Sequence, residues 1–516
     1  MDFICGIVDY WGEEICRTQK YKTREHQDKK ECMLGRERGM KIVLGGKGNY
    51  NCSEVVYGGI KYISVFDGEI YNDIKLRESI ISKMGFSPFK DESHAELIIW
   101  LYILKGGECP ALIDGIFSFA VYTEACSPGE YVPKMFVARD KLGIKRLFYT
   151  YTQMGMVFSS ELLGLSLYDP SIRFEIDKYG LYRLFFLADT YLNHSMFYGI
   201  NEIGAGCCAY LDCRRGGGRS FIERKYWDVG EKLPPDTQKY GEYMQSIFKK
   251  SYLHRDELNS DVIKSEDVPD DVVFTRDYID SLWVESPFED IRFDFFVECM
   301  KARPAEKKLA VRNTLPELSE HFVLYRPYLP WVRDPYLLSE FTYADAFDQS
   351  DGFNYVLEIY SAFKSSCAIS EEDCPKAKNH KLNTYLYFKS LYPSKYRTIL
   401  KIANYFNMYV RDVLTDSDIC SGIFNMPMGM NSETFFVPPS GNKTSRIIVP
   451  PQVKNELYER ILSCNNGLFD LIDKNKLIEA AICDTDSNQL DMSFKILLWF
   501  YKTYLYLENL GADFCL

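Results

Sequence analysis

Seven short apolar runs, each stopped by a turn signal, fill the first 230 residues: FICGIVDY, KYISVF, FSFAVYT, KMFVARD, RLFYTYT, GMVFSS and CCAYLDC. Runs of roughly four to eight residues rich in Ile, Val, Phe and Tyr are strand material, too short for helices. One clear helix interrupts them, Ser93 to Lys105, with Ser93 as N-cap and Glu96 three residues on in capping-box spacing. Repeated hairpins around a long helix predict a layered α+β domain of packed antiparallel sheets. A Pro pair within Glu231 to Gln238 marks a linker, and beyond it the pattern turns helical: Tyr240 to Leu258, Tyr396 to Val413, Gln452 to Ser463 and Leu477 to Leu510. Between about 285 and 395 the pattern resists division. The expected organisation is a domain over 1–230, a linker over 231–240 and a second domain over 241–516.

The chain has material for two large cores, with 46% hydrophobic residues, 38 Tyr and 34 Phe among 516. A formal net charge of −12 opposes a nucleic-acid partner held by counterion release. The basic clusters at Arg17 to Arg24 and Arg214 to Arg219 are expected on solvated surface, the second as a hairpin tip. No run reaches the ~18 uncharged residues of a membrane span; Phe494 to Leu507 comes nearest but carries Lys495 and Lys502. With no signal-like start and 16 cysteines free of CxxC pairs, the expectation is a cytoplasmic protein with reduced thiols and no metal site.

Two strings carry chemistry. In VFDGEIYN, Val65 to Asn72, a buried strand is expected to run into a tight turn at Asp67-Gly68, where backbone N–H groups can be aimed at a reacting oxygen. In ICGI, Ile4 to Ile7, Cys5 stands at the start of a first strand. Together they propose a thiol nucleophile beside an acyl-stabilising turn.

These and other motifs resemble, in order along the chain, the class II (N-terminal-nucleophile, Ntn) glutamine amidotransferase domain of asparagine synthetase. The matching stretches are Cys5-Gly6-Ile7, Phe66 to Asn72, Ser93 to Glu96, Asp114 to Phe119, Ala138 to Phe148, Phe158 to Glu161 and Tyr226-Trp227-Asp228. The family's H-R-G-P-D and H-R-R segments are not recognisable between residues 25 and 50. Farther on, Asp267-Val268-Pro269, Phe274 to Ser281, Tyr409 to Pro427 and Val449 to Val453 resemble an eroded synthetase domain. The resemblance implies an Ntn-hydrolase-like αββα sandwich followed by a helix-rich α/β domain of the adenine-nucleotide-hydrolase type, here degenerate. The implied family reaction is glutamine- and ATP-dependent amide formation on a carboxylate such as aspartate.

The resemblance assigns roles to particular residues, and several depart from the pattern. Cys5 would be the nucleophile, with its own α-amino group as base, whose pKa near 8 suits the task. Four residues precede it, so that role requires cleavage after Ile4. Otherwise Cys5 is a small buried strand residue. Asp67 stands where the family's oxyanion-hole Asn is, with Gly68 beside it; a carboxylate offers no donor, and losing one such donor costs roughly 10²–10³ in rate. Glu69 matches a substrate-binding Glu, and His94 replaces the acid that grips the substrate ammonium. Arg36 and Arg38 are the candidates for the glutamine carboxylate.

In the second half, Arg276-Asp277-Tyr278 replaces the Ser-Gly-Gly of a pyrophosphate loop, and the loop remnant is Arg276, Asp280 and Ser281, with Arg276 as a compensating phosphate ligand in the alternative reading. Such a loop cradles phosphate through glycine backbone N–H groups, so this substitution predicts a lost ATP site. ATP and Mg²⁺ are the cofactors implied if the half is active. Gly441 to Thr444 lacks the frame of a phosphate loop, and Asp348 to Phe353 is the nearest string to the family's second acidic motif. The expected function is an asparagine-synthetase-like protein that is diverged or catalytically impaired, with an active glutamine-hydrolysing asparagine synthetase or a related amide- or lactam-forming enzyme as the alternative. Glutamine is the small-molecule partner implied; a homodimer or a protein partner stays open.

Overall fold

The computed structural model describes residues 3–9, 31–37, 40–47, 51–123, 134–153, 155–166, 169–177, 180–181, 195–212, 221–230, 240–256, 273–274, 310–311, 341–343, 374–393, 412–426, 451–465, 467–483 and 492–514, with 354, 361, 396, 397 and 400. Among the described residues, thirteen strands precede residue 230: β1 (Phe3–Asp9), β2 (Glu31–Glu37), β3 (Met40–Lys47), β4 (Asn51–Tyr57), β5 (Ile60–Ile70), β6 (Gly115–Thr123), β7 (Lys134–Arg139), β8 (Phe148–Tyr151), β9 (Gly155–Ser159), β10 (Glu175–Ile176), β11 (Ile200–Glu202), β12 (Cys207–Asp212) and β13 (Phe221–Lys225). Among the described residues the helices with them include α1 (Asp73–Met84), α2 (His94–Lys105) and α3 (Leu162–Leu165). All seven apolar runs are strands.

Twelve of these strands form two six-stranded antiparallel sheets, ordered β11-β8-β9-β1-β3-β2 and β13-β12-β7-β6-β5-β4. The sheets stack because side chains alternate along each strand. Ile4, Val8, Met156 and Phe158 from one sheet meet Ile63, Val65, Ala120, Tyr122 and Val137 from the other in a buried layer. The outer face of the second sheet turns Phe66, Ile70, Phe117, Phe119 and Phe136 toward Leu97, Ile98 and Leu101 of α2 and Leu76 and Ile80 of α1. Against the outer face of the first sheet the described residues place α3, which contacts β1 and β9. The expected sandwich is therefore present through three layers, with one short helix on the fourth side.

Two local expectations change. The turn expected at Asp67-Gly68 is absent: β5 continues to Ile70, and Asp67 and Gly68 pair with Ser118 and Phe117 of β6. Gly68 makes this continuation possible, because at its φ of +132° a Cβ would lie 2.0 Å from the Ile116 carbonyl oxygen. The chain turns instead at Tyr71-Asn72, where Asn72 accepts from the Asp114 N–H at 3.0 Å and donates to the Leu112 carbonyl at 3.0 Å. Second, the capping box forms by half. Ser93 Oγ accepts from the Glu96 N–H at 3.2 Å, whereas the Glu96 carboxylate turns back to the N–H groups of Lys90 and Asp91. Helix α1 was not foreseen, since it carries no side-chain N-cap and a mixed face.

Beyond 230, helices cover Tyr240–Asp256, Pro375–Leu386, Ser417–Phe424, Pro451–Ser463, Gly467–Leu471, Lys474–Cys483 and Met492–Leu510. Tyr240, the expected end of the linker, is a buried helix residue; most of the expected helix over Tyr396 to Val413 lies outside the described residues. Short parallel pairs join Val273–Phe274 to Ala310–Val311 and Glu175–Ile176 to Asp513–Phe514. One core runs through both halves: Tyr71, Ile116, Ile144 and Trp227 pack with Tyr240, Tyr385, Phe388, Tyr392 and Phe424. No helix among the described residues is long and apolar enough to cross a membrane.

Candidate functional site

Strand β1 occupies an interior position of its sheet, flanked by β3 and β9, with Cys5 opposite Gly45 and Ser159. Phe3 and Ile4 are part of the same ladder, facing Lys47 and Gly46. The Ile4 N–H donates to Ser160 Oγ at 3.0 Å, and the Ile4 carbonyl accepts from the Ser160 N–H at 2.9 Å and from Ser159 Oγ at 3.1 Å. The residue before Cys5 is thus tied down through both its backbone polar groups, and the nitrogen of Cys5 is an amide without a basic lone pair. Cys5 is 2% exposed. Because Ile4 and Val8 face the layer between the sheets, alternation puts Cys5 and Ile7 on the opposite face.

Asp67 and Glu69 take the other course. Ile63 and Val65 of β5 face the layer between the sheets, so Asp67 and Glu69 continue that row. By alternation Cys5 and Asp67 therefore belong to different faces of different sheets. Lys145 Nζ sits 2.7 Å from Asp67 Oδ1, with the lysine side chain 27% exposed and the aspartate 7%. The carboxylate is thus buried behind an ammonium that reaches solvent.

A loop between β7 and β8 delivers Lys145. Asp140 organises it, its carboxylate accepting the N–H groups of Leu142 at 3.1 Å, Ile144 at 3.0 Å and Lys145 at 2.8 Å. Burial pushes the Asp140 carboxyl above its ordinary value despite the neighbouring Arg139 and these donors. Arg139 closes the loop from behind, donating to the carbonyls of Lys145 and Gly143, both at 2.6 Å, and of Ile203 at 2.7 Å. Lys145 was not singled out from sequence. It lies inside the motif Ala138 to Phe148, but only the folded loop brings it to a residue 78 positions away.

His94 lies at the first position of α2, with its ring edge-on to Phe66 at 5.3 Å. Its Nε2 is 3.3 Å from Asp73 Oδ2, and Arg77 Nε is 2.5 Å from Asp73 Oδ1. Burial pushes the Asp73 carboxyl up, but the hydrogen bonds from His94 and Arg77 outweigh it and hold the group below its ordinary value. Arg77 also donates to the carbonyls of Asp91, Glu92 and Ser93 and lies over the Phe89 ring. The loss of an acid at position 94 is accompanied by an acid at position 73. Sequence reading missed Asp73 and Arg77 because α1 itself was missed.

Arg36 lies in β2, and its side chain is outside the described residues, as is all of Arg38. Arg276, Asp277, Tyr278, Asp280 and Ser281 also lie outside, directly after the strand Val273–Phe274, as do Asp348 to Phe353 and Gly441 to Thr444. Asp416, kept from the motif over Tyr409 to Pro427, caps the helix Ser417–Phe424 by accepting the Asp418 N–H at 2.8 Å.

Comparison with known proteins agrees with this architecture. The model of the glutamine amidotransferase domain family matches residues 26–227, which leaves Cys5 and the entire second half outside the match. Asparagine synthetase (glutamine-hydrolyzing) 3 of Bacillus subtilis is 32% identical over 162 residues, covering 31% of this chain and 24% of that protein. Asparagine synthetase 2 of the same organism is 32% identical over 178 residues, 33% of this chain and 22% of its own length. A probable asparagine synthetase of Schizosaccharomyces pombe is 34% identical over 108 residues, 20% and 18% of the two lengths. The chain thus spans about a quarter of the length of the curated relatives it matches. Among solved structures, the allosteric regulatory enzyme of purine biosynthesis aligns over 50% of this chain and 52% of its own at 13% identity and a TM-score of 0.26, too low to carry weight. Residues 26–227 are thus similar to the glutamine amidotransferase domain family, and the curated relatives that match over part of this region are asparagine synthetases.

Proposed function

We propose that this chain is an asparagine-synthetase-like protein in which the amidotransferase domain has kept its fold and lost glutamine hydrolysis, serving as a binding module. The position of Cys5 carries the reading. It is buried in mid-strand, on the face away from Asp67, and its nitrogen is acylated by a residue held at both polar groups by Ser159 and Ser160. A nucleophile of this type needs a free amine as base and oxyanion donors within reach. Asp67 supplies an acceptor instead, engaged by Lys145. For the second half, Arg276-Asp277-Tyr278 in a loop that needs small residues supports loss of ATP-dependent chemistry as well. The boundaries at 230 and 241 and a role in binding a protein partner belong to the same proposal.

The test is ammonia release from L-glutamine by the purified full chain, alongside its intact mass. The expected outcome is no release above the rate without protein, with the residues before Cys5 retained. A species beginning at Cys5 that hydrolyses glutamine would overturn the reading in favour of an active amidotransferase.

A further inference from the structure

The loop over 140–146 meets the second half with one residue after another. Lys141 Nζ donates to Ser417 Oγ at 3.2 Å. Leu142 and Ile144 are buried in the core shared with Tyr385, Phe388, Tyr392 and Phe424. Between them, the Gly143 carbonyl accepts from Arg397 Nη1 at 2.9 Å, across 254 positions of the chain. Arg397 is buried, so this charge-assisted bond is made away from water, where such bonds are strong. The same carbonyl accepts from Arg139 Nη2 at 2.6 Å, so one guanidinium from each half grips it.

Lys145, the residue after Ile144, places its ammonium 2.7 Å from Asp67 Oδ1. Its backbone is tied into the same loop: the N–H donates to Asp140 Oδ2 at 2.8 Å, and the carbonyl accepts from Arg139 Nε at 2.6 Å. Arg139 thus holds the carbonyls of Gly143 and Lys145 through one planar, rigid group. A continuous series of bonds runs from Arg397 through Gly143 and Arg139 to Lys145 and ends at Asp67. Coupling between distant parts of a protein is carried by contiguous contacts of this kind. We propose that Arg397 is a positioning residue through which the second half seats the Lys145 ammonium on Asp67, so that the first half keeps this ion pair only with the second half docked. The inference is independent of whether the domain hydrolyses glutamine.

Site-resolved acetylation of the full chain with N-hydroxysuccinimidyl acetate tests it, because an ammonium held in an ion pair is slow to lose the proton that acylation requires. Each lysine is followed by peptide mapping, with Lys105, exposed at the end of α2, as reference. Arg397→Met is expected to raise the rate at Lys145 about fivefold relative to Lys105, the scale of one lost hydrogen bond. Asp67→Asn, which releases the same ammonium from the other end, should raise it at least as much. In the Asp67→Asn background, Arg397→Met should then add less than about twofold, because the seat it maintains is already gone. An unchanged Lys145 rate in folded Arg397→Met, an equal rise at every lysine, or full additivity with Asp67→Asn would each overturn the proposal. Should Arg397→Met not fold, Lys141→Met, which removes the contact with Ser417, is read at Lys145 by the same criteria. Ammonia release from glutamine is scored separately: its outcome bears on the functional reading alone, and Lys145 reactivity on this inference alone.

Discussion

Lys389 Nζ lies 2.8 Å from Asp228 Oδ1, and the two side chains are 8% and 10% exposed. The pair joins the last motif of the first half, Tyr226-Trp227-Asp228, to the segment that follows the helix Pro375–Leu386. Lys389 also lies over the Trp227 ring at 5.3 Å, and Tyr385 donates to Asp228 Oδ2 at 3.1 Å. Burial pushes the Asp228 carboxyl up, but Lys389 and Lys225 outweigh it and hold it below its ordinary value. The string that closes the family match is thus also a contact between the two halves.

Removing the Asp228 carboxylate leaves the Lys389 ammonium buried without its counter-charge. Asp228→Asn is expected to lower the unfolding free energy by about 3–5 kcal/mol, measured by urea denaturation. Replacing both residues, as Asp228→Asn with Lys389→Met, should cost less than the sum of the two single changes.

Glu202 predicts the acid limb of stability. It is fully buried, with Arg139 Nη1 at 2.8 Å and Arg146 Nη2 at 2.7 Å. Burial pushes its carboxyl up, but the two arginines bring it from 4.5 down to about 2. A carboxyl lowered on folding contributes stability that is present above its unfolded value and lost as pH falls through the folded one. The drop is worth on the order of 3 kcal/mol, so stability should decline from about pH 4.5 toward pH 2. Glu202→Gln should flatten that decline and lower stability at neutral pH, by about 3–5 kcal/mol, in denaturation curves taken across the acid range.

Gly68→Ala should be far more damaging than its size suggests. The added methyl would meet the Ile116 carbonyl oxygen at 2.0 Å, and backbone cannot swing aside as a side chain can. A loss of roughly 4 kcal/mol or more is expected, seen as a large fall in the thermal midpoint by circular dichroism. Near-native stability would show that β5 and β6 do not pair through this position.

Thiol reactivity separates a strand cysteine from a catalytic one. Cys374 is exposed and should alkylate promptly with iodoacetamide, whereas Cys5 must wait for the sheet to open. Peptide mapping of the native protein should find Cys5 slower by about two orders of magnitude or more. Fast, selective modification of Cys5 would mean that it lies in an accessible site.

Much of the first half was legible in the sequence, because short apolar runs ended by turn residues have few alternatives to strand. Every run named from sequence is a strand, and Ser93 caps α2 where its spacing placed it. The turn at Asp67-Gly68 was misplaced because Gly and Asp favour turns locally, while nine consecutive pairs with β6 outweigh that preference. Helix α1 escaped notice because its exposed face also carries Ile74 and Ile81, which blurs the amphipathic period.

The sequence by itself determined the layered sheets, the order of the family's motifs and the chemical departures at residues 67 and 94. Only the tertiary structure decided what those departures meet. Alternation along a strand is a local property, yet the face it presents depends on which sheet lies above it, and that set Cys5 apart from Asp67. Lys145 and Asp73 found their partners because loops and helix ends from distant parts of the chain converge there. Such encounters follow from packing the whole domain and leave no trace in local spacing.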